Sequence, residues 1–137
     1  MDIVLSTDSN YIFQTCVTIY SAVKNNPNIN NIYVLGSELK EDDIRYIEKT
    51  EMDLKKRVNI ILVNEDSQYR ILSSGHLTQA TFNRLMLDKL LPDSIEKILY
   101  LDSDIVVIRD ISNFYNNKSL QNKTAAVVEG FVSKKKE

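Results

Sequence analysis

The sequence is short of the residues on which several large functional classes depend. Its 137 residues include one cysteine, one histidine and three glycines. With Cys16 as the single cysteine, no internal disulfide is possible. Three scattered glycines form neither a GxGxxG fingerprint nor a P-loop, and the lone histidine, His76, leaves no evident Ser-His-Asp or Cys-His set. A disulfide scaffold and the glycine-rich phosphate loops are thereby excluded.

The chain also lacks an excess of one charge and any long apolar run. Its 17 basic and 19 acidic residues give a net charge of −2, whereas nucleic-acid-binding domains carry a clear basic excess. No stretch approaches the ~20 apolar residues that cross a bilayer, and the opening residues do not form a signal peptide. We therefore expect a cytoplasmic protein with a buried structural thiol at Cys16 and no nucleic-acid partner. A position at the inner face of the membrane is the alternative location.

Short β-prone segments alternate with segments of helical periodicity. With 43% hydrophobic residues, a domain of this size buries roughly two-thirds of its unfolded surface. The predicted strands are residues 3–5, 32–35, 58–63, 98–101, 105–108 and 125–128, the second of them ended by Gly36. This alternation predicts one α/β domain, with a mostly parallel sheet and helices on both faces.

Three helices are predicted between these strands. The first has an apolar face at helical spacing, formed by Phe13, Cys16, Val17, Tyr20 and Val23. The second is expected to begin at Ser37 as its N-cap, with acidic residues in its first turn. The third is expected to begin at Thr78 and to end before Pro92. Its predicted apolar face is Phe82, Leu85, Met86 and Leu90.

Two polar segments are predicted to meet at one edge of this sheet. In open α/β sheets, ligands bind beyond the carboxyl ends of the strands. Residues 6–11 follow the first strand and residues 102–104 follow the fourth. The two segments are therefore expected to be close in space although they are far apart in sequence.

The segment Asp102-Ser103-Asp104 is the strongest candidate for chemistry. On an extended backbone, side chains at i and i+2 point to the same side. Two carboxylates about 4 Å apart repel by roughly 4 kcal/mol at an effective dielectric constant of 20, and by about 1 kcal/mol in water. A hard divalent cation such as Mg²⁺ or Mn²⁺ relieves this repulsion with oxygen ligands. A solvated acidic turn is the alternative, and the spacing alone favours neither.

A second candidate follows the first strand. Asp8 offers an acceptor, Asn10 an amide and Tyr11 an aromatic face. A carboxylate can accept from a nucleobase N–H, and a ring that stacks on a base contributes about 1–3 kcal/mol. The alternative, which the residues alone favour, is a helix N-terminus capped by Asp8 or Ser9.

The third candidate is Arg84, on the third predicted helix. Its neighbours Phe82 and Leu85 are apolar and are expected to be buried, so the guanidinium would be fixed in place. A fixed guanidinium can hold phosphate or sugar oxygens in a bidentate contact. An exposed helical arginine is the alternative. His76 lies in a polar loop before this helix, where histidines are usually inert.

Together these segments resemble glycosyltransferase family 8, whose fold is of the Rossmann-like GT-A type for nucleotide-diphospho-sugar transferases. Family members open with a strand and an Asp-x-Asn-Tyr segment. They continue with Thr-Tyr-x-Arg-Leu and Leu-Leu-Pro, then with Lys-Val-Leu-Tyr-Leu-Asp-x-Asp. The matching residues here are 6–11, 81–92 and 97–107, in the same order, with Phe82 in place of the tyrosine. An Asp-x-Asp motif alone is weak, but the ordered set is specific.

The resemblance implies a retaining glycosyltransferase that moves a hexose from a UDP-sugar to a glycan, lipid-linked or protein acceptor, with Mn²⁺ or Mg²⁺ as the cofactor. It also assigns roles by position. The metal ligands would be Asp102 and Asp104, and the uridine would be held by Asp8, Asn10 and Tyr11. Further donor contacts would come from Arg84 and Ser103. The groups nearest the reaction would be Arg84 and Glu129, and His76 would face the acceptor.

Family members are longer than this sequence, and the resemblance places a third metal ligand, a histidine, in their later half. The chain has no second histidine. We therefore expect residues 1–137 to form a single nucleotide-sugar-binding domain, the N-terminal part of a truncated GT-A domain, which binds UDP with weak or absent turnover. A non-catalytic nucleotide-binding or scaffold fragment of the same fold is the main alternative. A weaker one is a phosphotransferase of the haloacid-dehalogenase type, whose nucleophilic aspartate follows the first strand.

Overall fold

The computed structural model of the chain describes residues 1–63 and 83–118. The strands are β1 (Asp2–Asp8), β2 (Asn31–Ser37), β3 (Val58–Leu62) and β4 (Leu99–Leu101). The helices are α1 (Ile12–Asn25), α2 (Glu41–Leu54), α3 (Leu87–Leu90) and α4 (Ser112–Tyr115). Short 3-10 turns at Ser9–Tyr11 and Arg84–Met86 precede α1 and α3.

The four strands form one parallel sheet in the order β3-β2-β1-β4. Strand β1 pairs with β2 from Asp2 to Asp8 and with β4 from Ile3 to Leu5. The chain therefore builds outward from β1 to β3, then returns to place β4 on the opposite side of β1. The predicted parallel α/β sheet is confirmed.

Strand β1 is the centre of the core. Ile3 and Leu5 belong to the main apolar cluster with residues of α1, whereas Val4 points to the other side. All three are fully buried, so both faces of β1 are covered. This double burial explains why the strand is apolar at consecutive positions instead of alternating.

Helix α1 packs on the sheet largely through a face other than the predicted one, and Val23 is the one residue of the predicted face that is buried. Its buried residues are Ile12, Thr15, Thr18, Ile19, Ala22 and Val23. Of the predicted face, Phe13 is 59% exposed, and Val17 and Tyr20 are also exposed. The face that packs on the sheet includes threonines, and these can be buried because their hydroxyls bond to backbone. Thr15 Oγ1, for example, donates to the Tyr11 carbonyl at 2.9 Å. Cys16, which was expected to be buried, is only half-buried.

The start of α2 differs from the prediction. Lys40, not Ser37, is its N-cap, and Asp43 accepts from the Lys40 backbone N–H at 2.8 Å. Ser37 instead ends β2, which continues through Gly36. A Cβ at Gly36 would come within 2.8 Å of Leu39 Cγ, so the glycine leaves room for Leu39 rather than ending the strand.

The predicted strand at residues 105–108 and the predicted third helix both need correction. Residues 105–108 pair with no strand in the described ranges and run along α1. The helix ends before Pro92 as expected, but Leu85 on its predicted apolar face is 73% exposed. Thr78, Phe82 and the strand predicted at residues 125–128 lie outside the described residues. No helix within those ranges is long and apolar enough to cross a bilayer.

Candidate functional site

The carboxyl ends of β1 and β4 define the candidate site. These strands are neighbours, and the strand order reverses between them. Such a reversal opens a crevice in parallel sheets, because the connections leave the two strands on opposite sides. Asp8 ends β1 and Asp102 directly follows β4. The predicted meeting of the two polar segments is therefore confirmed.

The segment from Asp8 to Tyr11 forms a tight turn at this crevice. Asp8 Oδ1 accepts from the Asn10 backbone N–H at 2.8 Å, so the carboxylate caps the 3-10 turn. A carboxylate offers about four acceptor positions, and this capping bond therefore leaves the group able to bind a ligand as well. Asn10 is exposed and Tyr11 is 43% exposed. Asp8 therefore caps the turn, and the side chains of Asn10 and Tyr11 are exposed to solvent next to it.

Ser9 fixes the turn to the neighbouring loop. Its hydroxyl lies 3.1 Å from the Glu38 carbonyl and also makes a short contact with the buried carboxylate of Asp43. Glu38 has a positive φ of 53°, a conformation that costs a non-glycine residue about 1–2 kcal/mol. The loop after β2 therefore supports the turn after β1 through a hydroxyl shared by two acceptors.

Asp102 and Asp104 lie in a turn and not on extended backbone. Strand β4 ends at Leu101, and Ser103 and Asp104 form the turn that follows. The i, i+2 geometry of a strand therefore does not explain how the two carboxylates are arranged. Both are exposed, and both act on Tyr100. The pKa of its phenol is raised chiefly by burial, lowered by Arg84 and raised by the two carboxylates.

Arg84 contacts this acidic turn from the 3-10 turn that precedes α3. Its Nη2 lies 3.1 Å from Asp102 Oδ1 in an ion pair whose side chains are 41% and 53% exposed. Its guanidinium also stacks over the Tyr100 ring, with Cζ 4.9 Å from the centroid, within the range of a cation–π contact. Arg84 is thus partly exposed, as in the second interpretation from sequence, but its guanidinium is also held by two contacts, as in the first.

No pattern in the sequence singled out Asn83, which the structure places beneath Arg84. Asn83 is fully buried, and its Nδ2 donates to Ser6 Oγ and to Ser37 Oγ, both at 3.0 Å. The sequence offered a weak signal, because asparagine is disfavoured inside helices and the two serines lie near the carboxyl ends of neighbouring strands. Without knowledge of which strands are adjacent, these three polar residues cannot be connected.

A row of polar side chains on α1 holds the chain that contains the acidic turn. Thr18 Oγ1 lies 3.0 Å from the Ser103 carbonyl and 2.7 Å from the Ile105 carbonyl. Farther along, Ser21 accepts from the Val107 backbone N–H at 3.0 Å. These contacts replace the strand pairing predicted for residues 105–108 and fix the turn relative to the sheet. Ser103 takes part in this anchoring through its backbone carbonyl.

The two aspartates suit a cation that is shared with a bound ligand better than a cation that is surrounded by protein side chains. Residues 1–63 and 83–118 contain no group of three or more His, Cys, Asp or Glu side chains that could hold a metal ion. Two exposed carboxylates on one turn do supply the oxygen ligands that Mg²⁺ and Mn²⁺ prefer. Such an ion usually retains water and substrate phosphates as its other ligands. His76 and Glu129 lie outside the described residues.

Comparison with known proteins assigns the fold and then the family. The architecture matches that of a galactosyltransferase, LgtC, solved in complex with donor and acceptor sugar analogs, with a TM-score of 0.72 and 28% identity. The match covers 85% of this chain and 42% of that one. The chain therefore has the GT-A glycosyltransferase fold. The family model for glycosyl transferase family 8 matches residues 2–137, and the chain belongs to this family.

Curated relatives are consistent with that assignment. The lipopolysaccharide glucosyltransferase WaaO of Escherichia coli K12 is 28% identical over 93% of this chain and 38% of its own length. General stress protein A of Bacillus subtilis 168 is 26% identical over 85% of this chain and 42% of its own length. The chain thus spans about two-fifths of the relatives it matches. Family membership excludes the haloacid-dehalogenase alternative.

Proposed function

We propose that this chain is the donor-binding part of a retaining glycosyltransferase, which transfers a hexose from a UDP-sugar to a glycan acceptor with the help of Mn²⁺. One observation supports the proposal: Asp8 and Asp102 lie at the carboxyl ends of the neighbouring strands β1 and β4, where Arg84 pairs with Asp102. Residues 1–137 would then act as one nucleotide-sugar-binding domain. The acceptor would be a glycan of the lipopolysaccharide type, as for the E. coli relative named above.

In this proposal the uridine binds at the turn after β1. The Tyr11 ring is exposed enough to stack on a base, and such stacking contributes about 1–3 kcal/mol. Asp8 accepts from a base N–H while it continues to cap the turn. Asn10, which is exposed beside them, supplies an amide to the ribose or the base.

The diphosphate binds between Arg84 and the acidic turn. Asp102 and Asp104 hold the divalent cation, with Ser103 beside the donor. When bound, the cation neutralises the charge that develops on the departing UDP. Arg84 adds a second positive group on the same side, where it contacts donor oxygens in a bidentate manner. Glu129 near the reacting sugar and His76 near the acceptor complete the proposed site.

Tested on its own, the 137-residue polypeptide is proposed to bind UDP with weak or absent turnover. Two carboxylates leave the cation open to water, and the resemblance places a third ligand in a later region. Donor binding and sugar transfer are therefore separate claims. Robust transfer by residues 1–137 alone would contradict the second claim and leave the first intact.

A thermal-shift comparison tests the binding claim. UDP, GDP and ADP are each added with and without Mn²⁺. A ligand at about 100 times its Kd stabilises the folded chain by about 2.7 kcal/mol, which raises Tm by roughly 5–10 °C. We expect this shift for UDP with Mn²⁺ only. No shift with any nucleotide would favour a non-catalytic scaffold, and equal shifts with all three would contradict uridine recognition.

A further inference from the structure

The buried amide of Asn83 links the two central strands to the 3-10 turn that precedes α3. Its Nδ2 donates one hydrogen bond to Ser6 on β1 and one to Ser37 at the end of β2, each at 3.0 Å. All three residues are buried. Both N–H groups of the amide are therefore used, each on a different strand, and Asn83 is held to both strands.

The hydroxyl of Ser6 is oriented so as to receive this bond. It lies 3.5 Å from the Leu35 carbonyl, to which it donates, so its lone pairs remain for the Asn83 amide. A buried amide that loses its hydrogen-bond partners is left with the full penalty of its desolvation. A small displacement of Asn83 is therefore opposed by the loss of hydrogen bonds, whereas a buried leucine could slide with little penalty.

Asn83 fixes the chain at the residue just before Arg84. The Arg84 side chain is 41% exposed, reaches Asp102 Oδ1 at 3.1 Å and lies over the Tyr100 ring at 4.9 Å. Because an arginine side chain is long and flexible, these contacts depend on where its backbone lies. Asn83 is the adjacent buried residue, and it is hydrogen-bonded to two strands.

We propose that Asn83 is a positioning residue for donor binding, which acts through Arg84 by fixing its backbone to β1 and β2. This inference rests on the proposed function, because it assumes that Arg84 contacts the diphosphate of a UDP-sugar. It adds that the position of Arg84 depends on three hydrogen-bonded residues, Ser6, Asn83 and Ser37, which we call the polar clamp. No single one of the three candidate segments contains all three of these residues.

A double-mutant cycle with Arg84 tests the proposal. UDP affinity in the presence of Mn²⁺ is measured by calorimetry for the wild-type chain, Asn83→Leu, Arg84→Ala and the double variant. We expect Asn83→Leu to weaken binding about tenfold and to have no further effect when Arg84 is already alanine. A purely structural role would weaken binding by the same factor in both backgrounds, which would overturn the proposal.

Two further variants keep the test decisive. Ser37→Ala removes one of the two hydrogen bonds of Asn83 and is the milder substitution if Asn83→Leu fails to fold. We expect it to weaken UDP binding about threefold, again only when Arg84 is present.

Asn59→Leu is the matched control. Asn59 lies on β3, and its side-chain amide also donates to the sheet, to the Ile32 carbonyl at 3.2 Å. It should leave UDP affinity unchanged, and an equal loss in this control would overturn the proposal.

A readout without nucleotide separates this proposal from the proposed function. In the free protein, Arg84 stacks on Tyr100, so NMR should show nuclear Overhauser contacts between the Arg84 side chain and the Tyr100 ring. Loss of these contacts in Asn83→Leu supports the positioning role even if the wild-type chain binds no UDP, in which case the proposed function alone fails. Their persistence in a folded Asn83→Leu variant overturns the positioning role.

Discussion

Arg84 and Asp102, which are 18 residues apart in sequence, form an ion pair of 3.1 Å at the carboxyl end of β4. The pair connects the turn that contains both aspartates with the 3-10 turn that precedes α3. Because both side chains are about half exposed, the pair stabilises the fold little. Its significance lies in placing the positive charge of Arg84 beside the acidic turn.

Removing Arg84 should therefore affect ligand binding more than stability. We expect Arg84→Ala to change the free energy of unfolding by less than about 1 kcal/mol and to weaken UDP binding with Mn²⁺ by at least about tenfold. Chemical denaturation and calorimetry on the same samples check both values. Arg84→Lys is the control that keeps the charge but loses the planar fork. Unchanged UDP affinity in both variants would remove Arg84 from the site.

The hydroxyl of Thr18 should be needed to hold the acidic turn. Thr18 is fully buried and contacts the carbonyls of Ser103 and Ile105. Thr18→Val keeps the volume but leaves these acceptors without that donor, and we expect a loss of about 1–3 kcal/mol in unfolding free energy. Mn²⁺ affinity should fall as well, because the turn is less well fixed. Thr18→Ser, which retains the hydroxyl, should restore most of the Mn²⁺ affinity; valine and serine variants with equal affinity would disprove the link.

Cys16 should react slowly at neutral pH. Burial raises the pKa of its thiol above the ordinary value of 9.0, and a hydrogen bond with Thr50 lowers it in part. A raised pKa means less thiolate at a given pH, and the thiolate is the nucleophile. Alkylation by iodoacetamide should be slower than for free cysteine at neutral pH and should accelerate as the solution becomes alkaline.

Thr50→Val provides the matched test of that cause. Without the hydrogen bond that lowers it, the pKa of Cys16 should rise further, so alkylation at a fixed pH should become slower. Thr50→Ser keeps the hydroxyl and should react like the wild type. A faster reaction in Thr50→Val would show that access to the thiol, and not its pKa, controls the rate.

The sequence predicted the sheet better than the helix packing. Consecutive apolar residues such as Ile3, Val4 and Leu5 identify buried parallel strands, because both faces are covered. The face of α1 was predicted wrongly except at Val23, since the predicted stripe includes Phe13, which is exposed. Hydrophobic periodicity ranks threonine low, although a buried threonine such as Thr15 can bond to backbone and pack closely.

The sequence predicted those parts of the candidate site that lie next to a single strand. It did not predict contacts that depend on how distant segments pack together. Asp8 and Asp102 each follow a strand, so knowledge of a parallel sheet is enough to place them at one edge. The hydrogen bonds of Asn83 depend on β1 and β2 being neighbours in register, and the arrangement of Asp104 depends on a turn where a strand was assumed. Such relations come from tertiary structure, which local sequence patterns do not contain.

The most direct test of the central claim is the Mn²⁺ dependence of UDP binding to the wild-type chain and to Asp104→Asn, measured by calorimetry. Asparagine keeps the shape of the side chain but removes its charge, so the fold should be retained. We expect UDP to bind the wild-type chain only with Mn²⁺ and Asp104→Asn to lose this binding at the same Tm. Metal-independent binding of UDP, or equal affinity in both proteins, would contradict a metal-bridged nucleotide site at Asp102 and Asp104.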